Sequence, residues 1–233
     1  MAYPQDKGQT NKVHNTGEII YGGDGTNFYP IYVNSAGNQV KKTVQTELFA
    51  AASVAASSQV ASTILDLTSI KKATVFIDHG RSASAAFGTI GTEYKIQVSM
   101  AATATNQWRT LASVSAASAV CMTAAASSNV AVGATTVVIL SGTAVVAGDI
   151  MVWPSGTIEW FTVKVPTGTA SFTTADAVDF AHAAASAAII GGGEHFAVSL
   201  DVAAATRLRV FINNLASGTT QTVYSRVACI TEG

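Results

Sequence analysis

By type and spacing, the residues best placed to do chemistry are Asp176, Asp179 and His182, set at successive i, i+3 intervals in Asp176-Ala-Val-Asp179-Phe-Ala-His182. On a helical turn they would share a face, and two carboxylates with an imidazole could hold a hard cation such as Ca2+. A metal site needs further ligands, however, and the same residues suit a polar turn after an apolar strand at Phe172, which is the expectation. No metal is expected. Asp78-His79 is an adjacent pair of proton carriers, but neighbours on a strand point to opposite faces and so would not act together. Glu194-His195 and His14 read as solvated polar residues. Cys121 and Cys229 are too far apart in sequence for a metal or redox pair and read as small buried thiols.

Cofactor and catalytic signatures are missing. No Gly-x-x-x-x-Gly-Lys-Ser/Thr occurs, Gly88 with Gly91 and Gly191-Gly192-Gly193 lack the strand-turn-helix setting of phosphate loops, and no Gly-x-Ser-x-Gly elbow is present. Two cysteines without nearby histidines do not fit zinc spacings. No catalytic or cofactor-binding residue is assigned, and the chain is not expected to be an enzyme. Trp108, Trp153 and Trp160, with Phe161, could form a carbohydrate platform, but in a chain poor in large residues strand-borne tryptophans read as core anchors.

Composition narrows the classes further. Of 233 residues 12% are charged, about half the usual share of roughly 25%, and the net charge is -1. Nucleic acid is therefore not an expected partner, since phosphate binding needs a concentrated basic surface. Residues 110–148 carry no charged side chain, yet Ser113, Ser115, Ser118, Thr123, Ser127, Ser128 and Asn129 break every apolar run, so no membrane segment is expected. Small, β-branched and hydroxylated residues in short runs suit half-buried strands. The opening Met-Ala-Tyr-Pro-Gln-Asp-Lys-Gly has no apolar h-region, so no signal peptide is read and folding in the cytoplasm is expected.

The elements that must position these residues are strands. Runs at 62–67, 73–78, 93–99, 108–114, 196–200, 207–212 and 222–230 predict an antiparallel β-sandwich, Ig-like or jelly-roll-like. Period-2 alternation places Tyr94, Ile96 and Val98 on one face. The segment from Lys71 to Asp78 parallels that from Thr206 to Asn213 in a basic start, Val-Phe-Ile and an Asx end. Between them, strands predicted at 136–140, 149–153, 159–165 and 170–173 form an inserted small β-barrel-like module, closed by the triple glycine at 191–193. The expected divisions are an extended arm with a hairpin (1–57), the sandwich's first part (58–118), the insert (119–190) and the sandwich's second part (191–233). Residues 48–58 are Ala-rich and could form a short helix instead. In the arm, a turn at 34–38 is expected between strands at 28–33 and 39–42. Tyr21, Phe28, Tyr29, Ile31 and Tyr32 cannot bury themselves in so small a hairpin, and are the candidate partner-binding residues.

Several stretches carry a resemblance. Gly23-Asp-Gly-Thr-Asn-Phe-Tyr-Pro-Ile-Tyr-Val-Asn-Ser-Ala-Gly-Asn-Gln-Val40 resembles a Gly-x-x-x-x-x-Pro-Leu-x-Val-Asp-x-x-Gly-x-Leu-x-Val segment near the start of tailed-bacteriophage structural proteins. Residues 48–114, with Ile-Leu-Asp-Leu, Ala-Thr-Val-Phe-Ile-Asp and Trp-Arg-Thr-Leu-Ala-Ser, are similar to the β-sandwich of phage virion surface proteins. Gly148-Asp-Ile-Met-Val through Glu159, Phe172 and Ala181-His-Ala183 looks like a small β-module of virion components.

The resemblance implies a virion location and a capsid decoration or cement protein, with the major capsid protein or other virion subunits as partners and a homo-oligomer, a trimer favoured. A neck, tail-tip or fibre-associated component is the alternative within that class. A carbohydrate-binding module using Trp153 and Trp160 is the alternative outside it. No cofactor is implied.

Overall fold

The computed structural model describes residues 19–23, 28–32, 43–81, 91–103, 107–116, 123–140, 145–167, 171–184, 188–215 and 222–232. Short alternating runs of β-branched and small residues produce strands throughout, and no helix occurs among the described residues. In chain order these are β1 (Ile19–Gly23), β2 (Phe28–Tyr32), β3 (Thr43–Val54), β4 (Gln59–Ala61), β5 (Leu65–Asp66), β6 (Lys72–Arg81), β7 (Thr92–Ser99) and β8 (Arg109–Ala116). Next come β9 (Thr123–Ala125), β10 (Thr136–Val138), β11 (Ile150–Trp153), β12 (Glu159–Pro166), β13 (Ser171–Thr174) and β14 (Ala188–Gly191). The chain ends with β15 (Glu194–Asp201), β16 (Arg207–Asn214) and β17 (Val223–Glu232).

Residues 1–44, with Glu232 and Gly233, form one unit, and residues 45–231 form the body. Within the arm β1 and β2 pair antiparallel, with Tyr21 opposite Pro30 and Gly23 opposite Phe28. This pairing was not among the expected ones; the turn expected at 34–38 and the strand expected at 39–42 fall outside the described residues.

The body is an antiparallel β-sandwich. One sheet runs β15-β6-β17-β3 and the other β4-β16-β7-β8, with β5 also on β16. Their inner faces share one core, where Val75, Ile77, Val227 and Cys229 of the first meet Tyr94, Ile96, Val210 and Ile212 of the second. Each such side chain, fully buried, contributes on the order of 1.5–3 kcal/mol. The repeated Val-Phe-Ile sits on β6 and β16, one in each sheet, with valine and isoleucine inward at both and phenylalanine outward. One expectation needs correcting, and one alternative falls away. Residues 48–58 are not helical, and the arm does not reach residue 57: from Gln45 onward β3 belongs to the body, where Leu48 and Val54 are core residues. Packing against a sheet outweighs the helix preference of alanine in this stretch.

Residues 123–191 make a third sheet, ordered β10-β13-β12-β11-β14-β9, with its own core around Trp153, Met151, Phe161, Phe172 and Ile189. The sheet is not a closed barrel, as the insert was expected to resemble. Among the described residues, its two edges meet at one antiparallel bridge, Ala126 to Ile139, just beyond β9 and β10.

This sheet meets the sandwich along β6. A Cβ on Gly80 would lie 2.3 Å from Val152 Cγ2, and one on Gly193 would lie 2.7 Å from Ile150 Cγ2. Glycine is needed at both positions because the strands approach so closely. Gly193 N–H donates to Ile150 O at 3.0 Å and the Trp160 indole N–H to His79 O at 3.0 Å.

Candidate functional site

Asp176, Asp179 and His182 do not share a helical face. They lie in the turns that follow β13, with both aspartates exposed and His182 buried. The partner of His182 is a residue the sequence reading passed over. Glu159 Oε2 lies 2.7 Å from His182 Nε2, and Glu159 Oε1 accepts the Asp179 N–H at 2.7 Å. The imidazole stacks on Trp153 with centroids 4.3 Å apart, and the His182 backbone is bridged both ways to Val130. One carboxylate thus ties the 176–182 turn to β12. Among the described residues no three His, Cys, Asp or Glu side chains gather where they could hold a metal ion. Glu159 was detectable: it shares the inward register of Phe161 and Val163, and a carboxylate on a buried face needs a partner.

Asp78 and His79 separate to opposite faces, as strand geometry requires. Asp78 turns outward to His195, Oδ1 to Nδ1 2.7 Å, in a half-exposed pair. His79 turns inward, where its Nδ1 lies 2.8 Å from the Tyr94 hydroxyl, which in turn lies 2.7 Å from Ser225 Oγ. Burial, reinforced by the charge of neighbouring Arg81, lowers the His79 pKa to about 3. His79 is therefore a neutral ring at neutral pH. All three residues occupy inward registers, beside Ile77, Ile96 and Val223 respectively, so their burial was readable from alternation while their meeting was not.

Of the tryptophans, Trp153 is fully buried, which removes the exposed Trp153 and Trp160 platform. Trp160 is half-buried and committed to His79 O. Trp108 is different. It lines a cleft of 740 Å3 where the edge strands β8 and β15 leave the sandwich open, with Met100, Leu111, Gln107, Arg109 and Asp201 around it. Val98 and Val202, both core residues, form its floor. Arg209 and Arg207 lie over the Trp108 ring at 4.2 and 5.0 Å from its centroid. Arg209 Nε also donates to Gln97 Oε1 at 2.9 Å, and burial followed by the Arg207 charge lowers its pKa. Sequence alternation found the strand that follows Trp108, but cannot show that β16 sends two arginines onto its ring.

Cys229 is buried, and burial raises its thiol pKa to about 11. Cys121 and His14 fall outside the described residues. Tyr21 lies on β1, and Phe28, Tyr29, Ile31 and Tyr32 on β2.

No protein-family model matches the chain, and no curated protein matches it. Among solved structures, it is similar to the VP2 subviral particle of infectious bursal disease virus, with 10% identity and a TM-score of 0.22 over 93% of this chain and 47% of that one. The structure of the Gt strain of the same virus gives 10% identity and a TM-score of 0.23, covering 93% and 45%. The chain spans about half the length of these neighbours, and overlaps this loose carry no argument about its fold or activity.

Proposed function

We propose that this is a non-enzymatic virion structural protein, a capsid decoration or cement protein that attaches to the outer capsid through its N-terminal arm. The observation that carries the reading is the arm's division from the body as a two-stranded ribbon, β1 with β2. Such a ribbon is at best marginal alone, and this one is rich in large apolar residues: Tyr21, Phe28, Tyr29, Ile31 and Tyr32. A host surface that covers them gains about 25 cal/mol per Å2 of apolar area. In the body, the side chains with chemical potential, His79, Glu159 and His182, are engaged in structural pairs. The major capsid protein is the proposed host, and a homotrimer the proposed assembly.

The test is co-sedimentation with particles stripped of this protein. Removing residues 1–42, just short of β3, should leave a folded body that no longer pellets with the particle, and Phe28→Ala with Tyr32→Ala should do most of the same damage. Binding at the wild-type level would place the contact on the sandwich. Copy number per virion comparable to that of the major capsid protein is expected; a much smaller number would move the protein to the neck, tail tip or a fibre.

A further inference from the structure

We infer that the cleft beside Trp108 is a binding site for an acidic carbohydrate, a pyranose ring carrying a carboxylate. Its volume, 740 Å3, lies within the roughly 300–1,000 Å3 of ligand-binding clefts. Arg109 lines the cleft, while Arg207 and Arg209 lie over the ring of Trp108 on its wall, so three of the chain's five arginines sit on the cleft or on its aromatic residue, in a protein with only 12% charged residues. Two carboxylates are close by. Asp66 is the cross-strand partner of Arg207 and accepts from the Thr68 N–H and hydroxyl, while Asp201 on the cleft wall accepts the Ala203 N–H. The balance favours an anion.

The neutral groups select among anions. The apolar C–H face of a pyranose suits an indole flanked by Met100, which is 71% exposed, and Leu111, which is 48% exposed. Single surface apolar residues are unremarkable, but two beside an aromatic ring in a concave site form a ligand-sized apolar wall. Gln107 and Asp201, also on the cleft wall, offer an amide and an acceptor to sugar hydroxyls. An acyl chain would have no use for them, and a doubly charged phosphate would be repelled by the Asp201 carboxylate more strongly than a singly charged carboxylate. Arg109 is exposed on the wall and can take a ligand carboxylate by its planar fork.

Isothermal titration of the full chain tests this with tetrasaccharides from hyaluronan, alginate, polygalacturonate and polysialic acid, and with neutral chitotetraose as the comparison. At least one acidic probe should bind saturably, and chitotetraose at least about tenfold more weakly, a difference worth ~1.4 kcal/mol. Trp108→Ala should abolish the binding. Arg109→Gln, at an exposed position outside the core, should weaken it about tenfold while leaving the melting temperature unchanged, in line with loss of one charge-assisted contact. Absence of binding to all four acidic probes overturns the proposal. So does equal binding of chitotetraose, or affinity that survives both substitutions in folded protein.

Discussion

The indole N–H of Trp160 donates to the backbone carbonyl of His79 at 3.0 Å, joining the third sheet to the sandwich at the strand whose next residue, Gly80, has no room for a side chain. One hydrogen bond and one missing methyl group fix how closely β11 approaches β6. The stiffness of this seam rests on contacts that single substitutions can probe.

Gly80→Ala should destabilise the body by about 1–3 kcal/mol, the usual cost of forcing an extra carbon into a packed site, because its Cβ would fall 2.3 Å from Val152 Cγ2. Combining it with Val152→Ala, which clears that carbon, should recover part of the loss. Chemical denaturation of the two single variants and the double variant measures the coupling, and strict additivity would show that the clash is relieved elsewhere.

The third sheet has its own core, which motivates the proposal that residues 119–190 are an independently folding insert in a sandwich made of 58–118 and 191–233, completed by β3. Replacing 119–190 by a short Gly/Ser bridge should leave a soluble sandwich with a cooperative thermal transition. A molten or insoluble product would mean that the seam is needed for folding.

Acid should weaken the fold through His79. Its pKa is 6.5 in the free side chain and about 3 in the folded protein, first through burial and then through Arg81. Above pH 6.5 the ring is neutral in both states and pH has no leverage on it. As pH falls from 6.5 towards 3, the unfolded chain takes a proton that the folded chain refuses, so unfolding free energy drops by at most about 1.4 kcal/mol per pH unit. His79→Asn, which keeps a polar group facing Tyr94, should flatten this part of the profile. Urea denaturation at pH 7, 5.5 and 4 would reveal it, and identical slopes in both proteins would exclude His79 as the source.

Removing one partner of the buried Glu159 and His182 pair should be costly. Glu159→Ala deprives both the His182 ring and the Asp179 N–H of their acceptor, with an expected loss of about 3 kcal/mol, within the range for breaking a buried pair. His182→Ala should cost a similar amount, since stacking on Trp153 disappears as well. The double variant should be no worse than about the larger single loss; a fully additive result would show that the two side chains act independently.

Alternation by itself determined the all-β class, the register of Tyr94, Ile96 and Val98, and the opposite fates of Asp78 and His79, because strand side chains repeat every two residues whatever the strand later pairs with. It also located most of the strands, including the matched cores of β6 and β16. Period-2 logic gave no warning of β3, whose alanines pack on a sheet supplied from far along the chain. Nor did it show β9 and β14, which are three and four residues long and exist only through their pairing with each other and with β11. The partner choices belonged to tertiary structure alone. Glu159 with His182, His79 with Tyr94 and Ser225, and Trp108 under Arg207 and Arg209 all join residues from different strands or from turns outside them. Local sequence sets which face of a strand a side chain takes, whereas the order and packing of the sheets decide what it meets there.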